Sequence, residues 1–226
     1  MIKNLEWDSS FFNRSIGLLD LNSGSPNFED LNDWDLIYII SDEDFNLEIN
    51  KFINTYSETK VVFSKMIMDS KNIIDENISV AKKNDNKEQI YRLALESGKF
   101  SRFNLDTNFK KAEFKKLYHK WVDNSFNEGF ADAVLVYKFE NEIVGFVTYK
   151  LLDDIATIGL IAISPLYQGK GIGRKLINAV EIELVNRRIR ELRIPTQFQN
   201  KIACEFYTKL GCKIIEKKII SHYWRI

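Results

Sequence analysis

The stretch Ser164 to Gly173, SPLYQGKGIG, places Gly169, Gly171 and Gly173 within five positions. These are three of only ten glycines in a chain of 226 residues. Ordered glycine loses more backbone entropy than any other residue, so such a cluster marks a backbone with a task. A glycine-rich turn between a strand and a helix presents N–H groups that lack intrahelical partners, at the positive end of the macrodipole. Phosphate uses such groups best, and glycines let its oxygens approach without Cβ atoms in the way. Lys170, Arg174 and Lys175 add positive charge there. The spacing is not that of a Walker loop, G-x-x-x-x-G-K-[ST]. Nor is it the dinucleotide fingerprint G-x-G-x-x-G, which opens a β-α-β unit. A glycine-rich turn with no ligand is the alternative.

Other chemistry-bearing residues are sparse. Cys204, Cys212, His119 and His222 show no metal-ligand spacing, so no metal is expected. Two lone cysteines read as small buried thiols in a reducing compartment. Lys+Arg is 32 and Asp+Glu is 32, a formal net charge of +0, which gives no argument for nucleic acid or a membrane surface as partner. Hydrophobic residues at 45% and charged residues at 28% are ordinary for a globular protein with ample core. MIKNLEWDSS is charged and lacks the apolar run of a signal peptide. No stretch approaches the roughly 20 apolar residues of a membrane span. The expected location is cytoplasmic.

The elements that must position the loop follow from periodicity. Asn22 to Asn27 reads as a loop, and DWDLIYII, Asp33 to Ile40, as a buried strand. LEINKFINTY has helical spacing and KVVFSKMI strand character, a β-α-β signature within the first 70 residues. Asn86 to Phe100 and NFKKAEFKKLYHKWVDNSF read as helices, the first with Ile90, Leu93, Ala94 and Leu95 near one stripe. From Ala131 the pattern becomes strand, turn at Glu140–Glu142, strand, turn at Asp153–Asp154, strand: an antiparallel meander. The glycine loop comes next, then a helix from about Gly171 to Arg190, a strand ELRIPTQ, and a helix capped by Asn200 and Gly211. The final KIIEKKIISHYWRI is one or two strands, and ISHYWRI either pairs across a homodimer or closes its own sheet. A soft boundary falls near residue 100. It separates a smaller N-terminal αβ region, 1–100, from a β-rich unit, 101–226.

Ile161 to Gly173 resembles the acetyl-CoA-binding motif of the GNAT N-acetyltransferases: a strand ending in hydrophobic-x-hydrophobic-x-Pro, then Gln168-x-x-Gly171-x-Gly173. Asn200, Ala203, Phe206, Tyr207, Lys209 and Gly211 resemble the same family's N-x-x-A-x-x-F-Y-x-K-x-G-F signature, with Cys212 in place of its usual aromatic. The resemblance runs from roughly residue 105 to the end. It implies an α/β (α+β) GNAT fold, a mixed, mostly antiparallel central sheet flanked by helices. The amides of Gln168, Gly169, Lys170, Gly171, Ile172, Gly173 and Arg174 are then expected to cradle the coenzyme A pyrophosphate. Ile161 is expected to donate its N–H to the thioester carbonyl, the amides near Ile163 to pair with the pantetheine arm, and Asn200 to contact that arm while capping its helix. Tyr207 is the expected proton donor to the leaving thiolate, since a thiol titrates near ~8.5 and a tyrosine near ~10. The base that takes the amine proton is left open; a carboxylate such as Glu142 or a water chain is a candidate, although a solvated turn is the plainer reading of Glu142. The resemblance implies direct transfer in a ternary complex, with no acyl group on Cys204 or Cys212.

The acceptor is read from the N-terminal third. LEWDSSFFNRSIGLLDL, with Leu5, Trp7, Asp8, Ser9, Phe11, Phe12, Ile16 and Gly17, resembles the opening of the subgroup that acetylates nucleotide-linked amino-deoxysugars such as TDP-fucosamine. Ser101-Arg102-Phe103 matches that subgroup's short S-R-F segment. The resemblance implies that Trp7, Arg102 and Phe103 meet a nucleotide amino sugar. Aromatic and guanidinium groups side by side suit base stacking and phosphate pairing. Other amines (a peptide, a protein N-terminus, a polyamine, an aminoglycoside) and a non-catalytic acyl-CoA-binding module are the alternatives.

Overall fold

The computed structural model describes residues 2–24, 31, 33–68, 73–82, 85–127 and 129–226. Positions 25–27 of the expected Asn22–Asn27 loop lie outside them. The described elements, in chain order, are β1 (Lys3–Asn4), α1 (Glu6–Phe12), β2 (Ile16–Asp20), β3 (Leu36–Ser41), β4 (Phe52–Met66), β5 (Ile78–Val80), α2 (Lys87–Ser97), α3 (Arg102–Leu105), α4 (Lys111–Ser125), β6 (Ala133–Phe139), β7 (Glu142–Leu152), β8 (Ile155–Ile163), α5 (Ile172–Asn186), β9 (Glu191–Gln197), α6 (Lys201–Lys209) and β10 (Lys213–Arg225). The strands form one sheet in the order β1-β2-β3-β10-β4-β9-β8-β7-β6-β5. Its pairs are antiparallel except β2–β3 and β8–β9. No helix among the described residues is long and apolar enough to cross a membrane.

Strand alternation sorts the side chains of the sheet between two helical layers. On β6, Leu135 and Tyr137 pack with α5 and α6, whereas Val134 and Val136 pack with α1 to α4. The first layer buries Ile172, Leu176, Ile177, Val180 and Leu184 of α5. The second buries Phe12, Ile90, Leu93, Phe103, Phe114 and Leu117. Each such side chain contributes about 1.5–3 kcal/mol. The β6–β7 turn is a two-residue hairpin with Glu140 and Asn141 both at positive φ, 49° and 69°, which matches the right-handed strand twist.

Two expectations are corrected or settled here. LEINKFINTY is not a helix: Phe52 onward is the start of β4, a strand of 15 residues. Its apolar spacing fits either period, and pairing decides. β10 lies against β4 from Phe52 to Ser64, and β9 covers it from Lys60 to Met66. The described residues between β3 and β4 therefore hold no helix, and the expected β-α-β signature is not met there. The ISHYWRI segment closes its own sheet, because from Ile220 to Trp224 β10 is bonded to β3 on one side and β4 on the other and offers no free edge there to a second copy. Strands from both sides of residue 100 share this sheet, and β4 is flanked by β9 and β10.

A buried polar node ties β10 to α3. Asp106 follows α3, and its carboxylate accepts hydrogen bonds from His222 Nδ1 at 2.6 Å, Trp224 Nε1 at 2.8 Å and the Asn108 amide at 3.0 Å. Burial opposes the charge on Asp106, but these donors prevail and hold its carboxyl at about 2. Burial pushes the His222 imidazole down to about 4 against the pull of Asp106, and the ring is fully buried. Its Nε2 has no hydrogen-bond partner among the described residues, so a second proton there would find no acceptor. The unfolded chain protonates this histidine near ~6.5. Between that pH and about 4 the unfolded state binds more protons, so stability falls as pH falls through this window. Unfolding measured across it should lose up to about 3 kcal/mol. His222→Asn, which keeps an N–H for Asp106, should flatten the slope; an unchanged slope would contradict the assignment.

Candidate active site

The site begins where two parallel strands separate. β8 pairs with β9 only at Ile155–Glu191, Ala156–Leu192 and Thr157–Arg193. Beyond Thr157 the strands fork, and three local features cause it. The β7–β8 register shifts between Val147 and Tyr149, leaving Thr148 out of step. The Thr148 hydroxyl then accepts the Leu160 amide at 2.9 Å, holding β8 toward β7. On the other side, Phe198 donates its amide to the Thr59 carbonyl, so by alternation Pro195 turns its missing N–H toward β8. A proline there costs β9 no bond to β4 and offers β8 no donor.

Alternation also fixes which amides enter the fork. Ser164 donates its amide to the Val144 carbonyl of β7 at 2.8 Å. Ala162 and Leu160 therefore face β7 as well, and the amides of Ile161 and Ile163 face the open wedge. The Ile163 carbonyl accepts from Gln168 Nε2 at 3.2 Å, which folds the loop over the end of β8.

A short 3-10 turn, Pro165–Tyr167, leads into the glycines. Gly169 and Gly171 have φ of 75° and 80°, and a Cβ on either would meet nothing within 4 Å. Both need the left-handed region, and both leave open space in front of the N-terminus of α5. Gly173 is small for a different reason: its Cβ would come within 3.2 Å of the Phe206 ring and 3.3 Å of Ile163.

One cavity of about 1090 Å³ runs from this loop through the fork to α3. The expected residues Ile161, Ile163, Gln168, Gly169, Gly171, Ile172, Gly173, Arg174, Asn200 and Tyr207 line it, with Trp7, Arg102 and Phe103 at the other end. Lys170 does not; its Nζ lies 4.6 Å from the centre of the Tyr167 ring. Lys175 is also turned away, paired to Asp75 at 2.9 Å. Asn200 caps α6, accepting the Ala203 amide at 3.2 Å. Tyr207 packs against Phe63 of β4 with ring centres 5.5 Å apart, and burial raises its hydroxyl well above the ordinary tyrosine range. It is therefore a held proton, not a phenolate. Burial likewise raises the Cys212 thiol to about 11. No group of His, Cys, Asp or Glu suited to a metal ion occurs among the described residues.

At the α3 end Trp7 is 45% exposed and stacks on Phe11. Phe12 is core, stacked on Phe103. Phe103 is largely buried in that aromatic cluster and offers the cavity only part of its ring. The Arg102 guanidinium sits 4.3 Å from the Tyr38 ring centre. Among the described residues no carboxylate lies in ion-pair range of it. Glu142 is exposed in its turn and off the cavity. Reading the sequence missed Glu58, on β4, which lines the cavity and is 4% exposed. The helical reading of the preceding stretch hid it. The period-two run Tyr56-x-Glu58-x-Lys60 leading into Val61 and Phe63 was the available signal.

The sequence profile of the acetyltransferase (GNAT) family matches residues 95–212. The spore coat polysaccharide biosynthesis protein SpsD of Bacillus subtilis is 26% identical over 137 residues, 61% of this chain and 47% of its own. An uncharacterized N-acetyltransferase of Methanocaldococcus jannaschii is 32% identical over 127 residues, 52% of this chain and 53% of its own. This chain thus spans about half the length of both relatives. The solved structure of a GCN5-related N-acetyltransferase from Sphaerobacter thermophilus superposes with a TM-score of 0.58 over 84% of this chain and 60% of its own, at 14% identity. That likeness is one of fold.

The fork itself is open to test. Thr148→Val keeps the shape but strips the Leu160 amide of its acceptor in a buried place. Such a loss costs about 1–3 kcal/mol, to be read from urea unfolding; a change within error would show that the bulge holds without this bond.

Proposed function

This chain belongs to the acetyltransferase (GNAT) family, and from that premise we propose that it moves the acetyl group of acetyl-CoA onto the amine of a nucleotide-linked amino-deoxysugar, by direct attack in a ternary complex. One observation carries the reading. The forked strands, the open glycine turn and a buried tyrosine share one cavity, and an arginine with no carboxylate in ion-pair range among the described residues stands at its far end. The chain's residues fit coenzyme A. Gly169 and Gly171 leave their amides accessible to a pyrophosphate, with Arg174 beside them. Ile161, Ile163, Ala203 and Phe206 give the middle of the cavity an apolar wall for the pantetheine arm.

The chemistry follows from the same residues. The Ile161 amide, facing the fork, donates to the thioester carbonyl oxygen as negative charge develops on it; one such donor lowers a barrier by about 3 kcal/mol. Tyr207 holds its proton and delivers it to the sulfur as the C–S bond breaks. Arg102 pairs a phosphate of the acceptor in bidentate fashion, and Trp7 offers an exposed indole face. A relative in spore coat polysaccharide biosynthesis favours a sugar acceptor. Residues 1–100 shape this acceptor end.

The deciding experiment is thiol release from acetyl-CoA against a panel of amines: TDP- and UDP-amino-deoxysugars, peptides, polyamines and aminoglycosides. Release with an amino-sugar nucleotide alone is the expected result. Release with another class would replace the acceptor and keep the catalytic reading. Binding of acetyl-CoA without release would favour a binding module. Tyr207→Phe should retain acetyl-CoA binding by calorimetry while kcat falls about 100-fold; undiminished kcat would remove the tyrosine from its role. Gly171→Asp, which forces a side chain and a negative charge into a left-handed turn, should abolish binding.

A further inference from the structure

We propose that Glu58 takes the proton from the attacking amine. The assignment rests on the acetyltransferase reading above. It adds a residue outside the family-matched segment, on a strand contributed by the N-terminal part of the chain.

Three observations converge on this side chain. First is position. β4 lies directly beside β9, the outer arm of the fork, and Glu58 pairs in register with Ile220 of β10; both residues line the cavity. Of the other carboxylates on the cavity wall, Glu96 is ion-paired with Lys99, and Asp8 rides on α1. That helix packs on β2, which β3, β10 and β4 separate from β9.

Second is direction. The strand is regular from Tyr56 to Val62, so Glu58 points to the face opposite Val61 and Phe63. Phe63 packs on Tyr207, beneath α5 and α6. Glu58 faces Arg102 of α3 on the other side of the sheet. A base on one face and a proton donor on the other bracket a carbon held in the fork. The arrangement separates the two proton transfers in space.

Third is environment. The carboxyl is buried and holds hydrogen bonds from the Tyr56 hydroxyl to Oε2, at 3.2 Å, and from the Arg102 backbone amide. Burial raises its pKa; Arg102, the Tyr56 bond and Lys60 oppose that without cancelling it. Tyr118 of α4 also faces it. A carboxylate so placed is a stronger base than one in water, with its orientation fixed.

The acceptor arrives as an ammonium and gives one proton to Glu58. Its lone pair forms the N–C bond to the thioester carbon. The C–S bond then breaks with its electron pair on sulfur, which takes the Tyr207 proton. The nitrogen's second proton leaves to solvent as the amide forms, and Tyr207 regains its proton from solvent. The proton on Glu58 leaves to solvent, so one proton is released per turnover.

The test compares the full chain with Glu58→Gln and Glu58→Ala. Coenzyme A release from acetyl-CoA is followed with TDP-4-amino-4,6-dideoxygalactose as acceptor and, separately, with water as acceptor. Acetyl-CoA binding and thermal unfolding are measured on all three proteins. Expected are intact binding and melting for Glu58→Gln, and kcat/KM at least about 100-fold lower at pH 7. The deficit should narrow as pH rises and the amine deprotonates in solution. Added formate should restore part of the Glu58→Ala rate, as a structural role would not allow. Wild-type rates in Glu58→Gln, in either reaction the parent carries out, would overturn the assignment. Failure of the parent to bind acetyl-CoA would overturn the reading beneath it instead.

Discussion

The fork between β8 and β9 is the constraint on which the rest of the molecule depends. A parallel pair of this length would ordinarily zip closed, since each backbone group buried in a sheet seeks a partner. Two side chains prevent it from opposite directions. Thr148 draws the Leu160 amide to β7, and Pro195 presents β8 with no N–H. The amides of Ile161 and Ile163 are thereby left facing a wedge, and the cavity passes through it. The cost of holding them open is spread over the large apolar layers on both faces, which include Leu176, Val180 and Phe146 with essentially no exposure.

Much of this was legible in the residues. The meander, the glycine turn, α5, β9 and α6 lie close to where periodicity and capping put them, because each has a strong local signal: Glu140-Asn141 in the hairpin turn, Asn200 and Gly211 around a helix. That the residues at the glycine-loop end share one cavity was legible for the same reason, since they occupy one contiguous loop and one helix. The misreading of Leu47 to Tyr56 has a physical cause. Leu47, Ile49, Phe52 and Ile53 satisfy the helical period and the strand period alike, and only β10, more than a hundred residues later, selects the strand from Phe52 onward. Glu58 was lost with that choice. The distant partner of Lys175, Asp75, was equally invisible: proximity to the glycines in sequence did not turn that ammonium toward the loop.

The two ends of the cavity differ in how they are built. The glycine-loop end comes from segments close in sequence, from β8 to α6. The Arg102 end is a composite: α1 and β4 from the N-terminal part, α3 from the middle, and β10 from the C-terminal part. Asp106, just after α3, is likewise held by contacts across the whole chain, with Thr55, His222 and Trp224. The lining of the Arg102 end can therefore change by substitution in the N-terminal strands without disturbing the backbone geometry of the fork and the glycine turn.

The seating of β4 between β9 and β10 also bears on how the chain acquires its shape. A strand made early, at residues 52–66, has to wait for residues 191–197 and 213–225 before either of its edges is covered. On a ribosome it spends most of synthesis as an uncovered ribbon, and the loops it finally closes are among the longest the chain can form. Ring closures of that span slow folding. They also leave Val61, Phe63 and their neighbours open to the wrong partner in the interval. Lys60 and Lys65, which flank that apolar run, place charge where a stray strand would add.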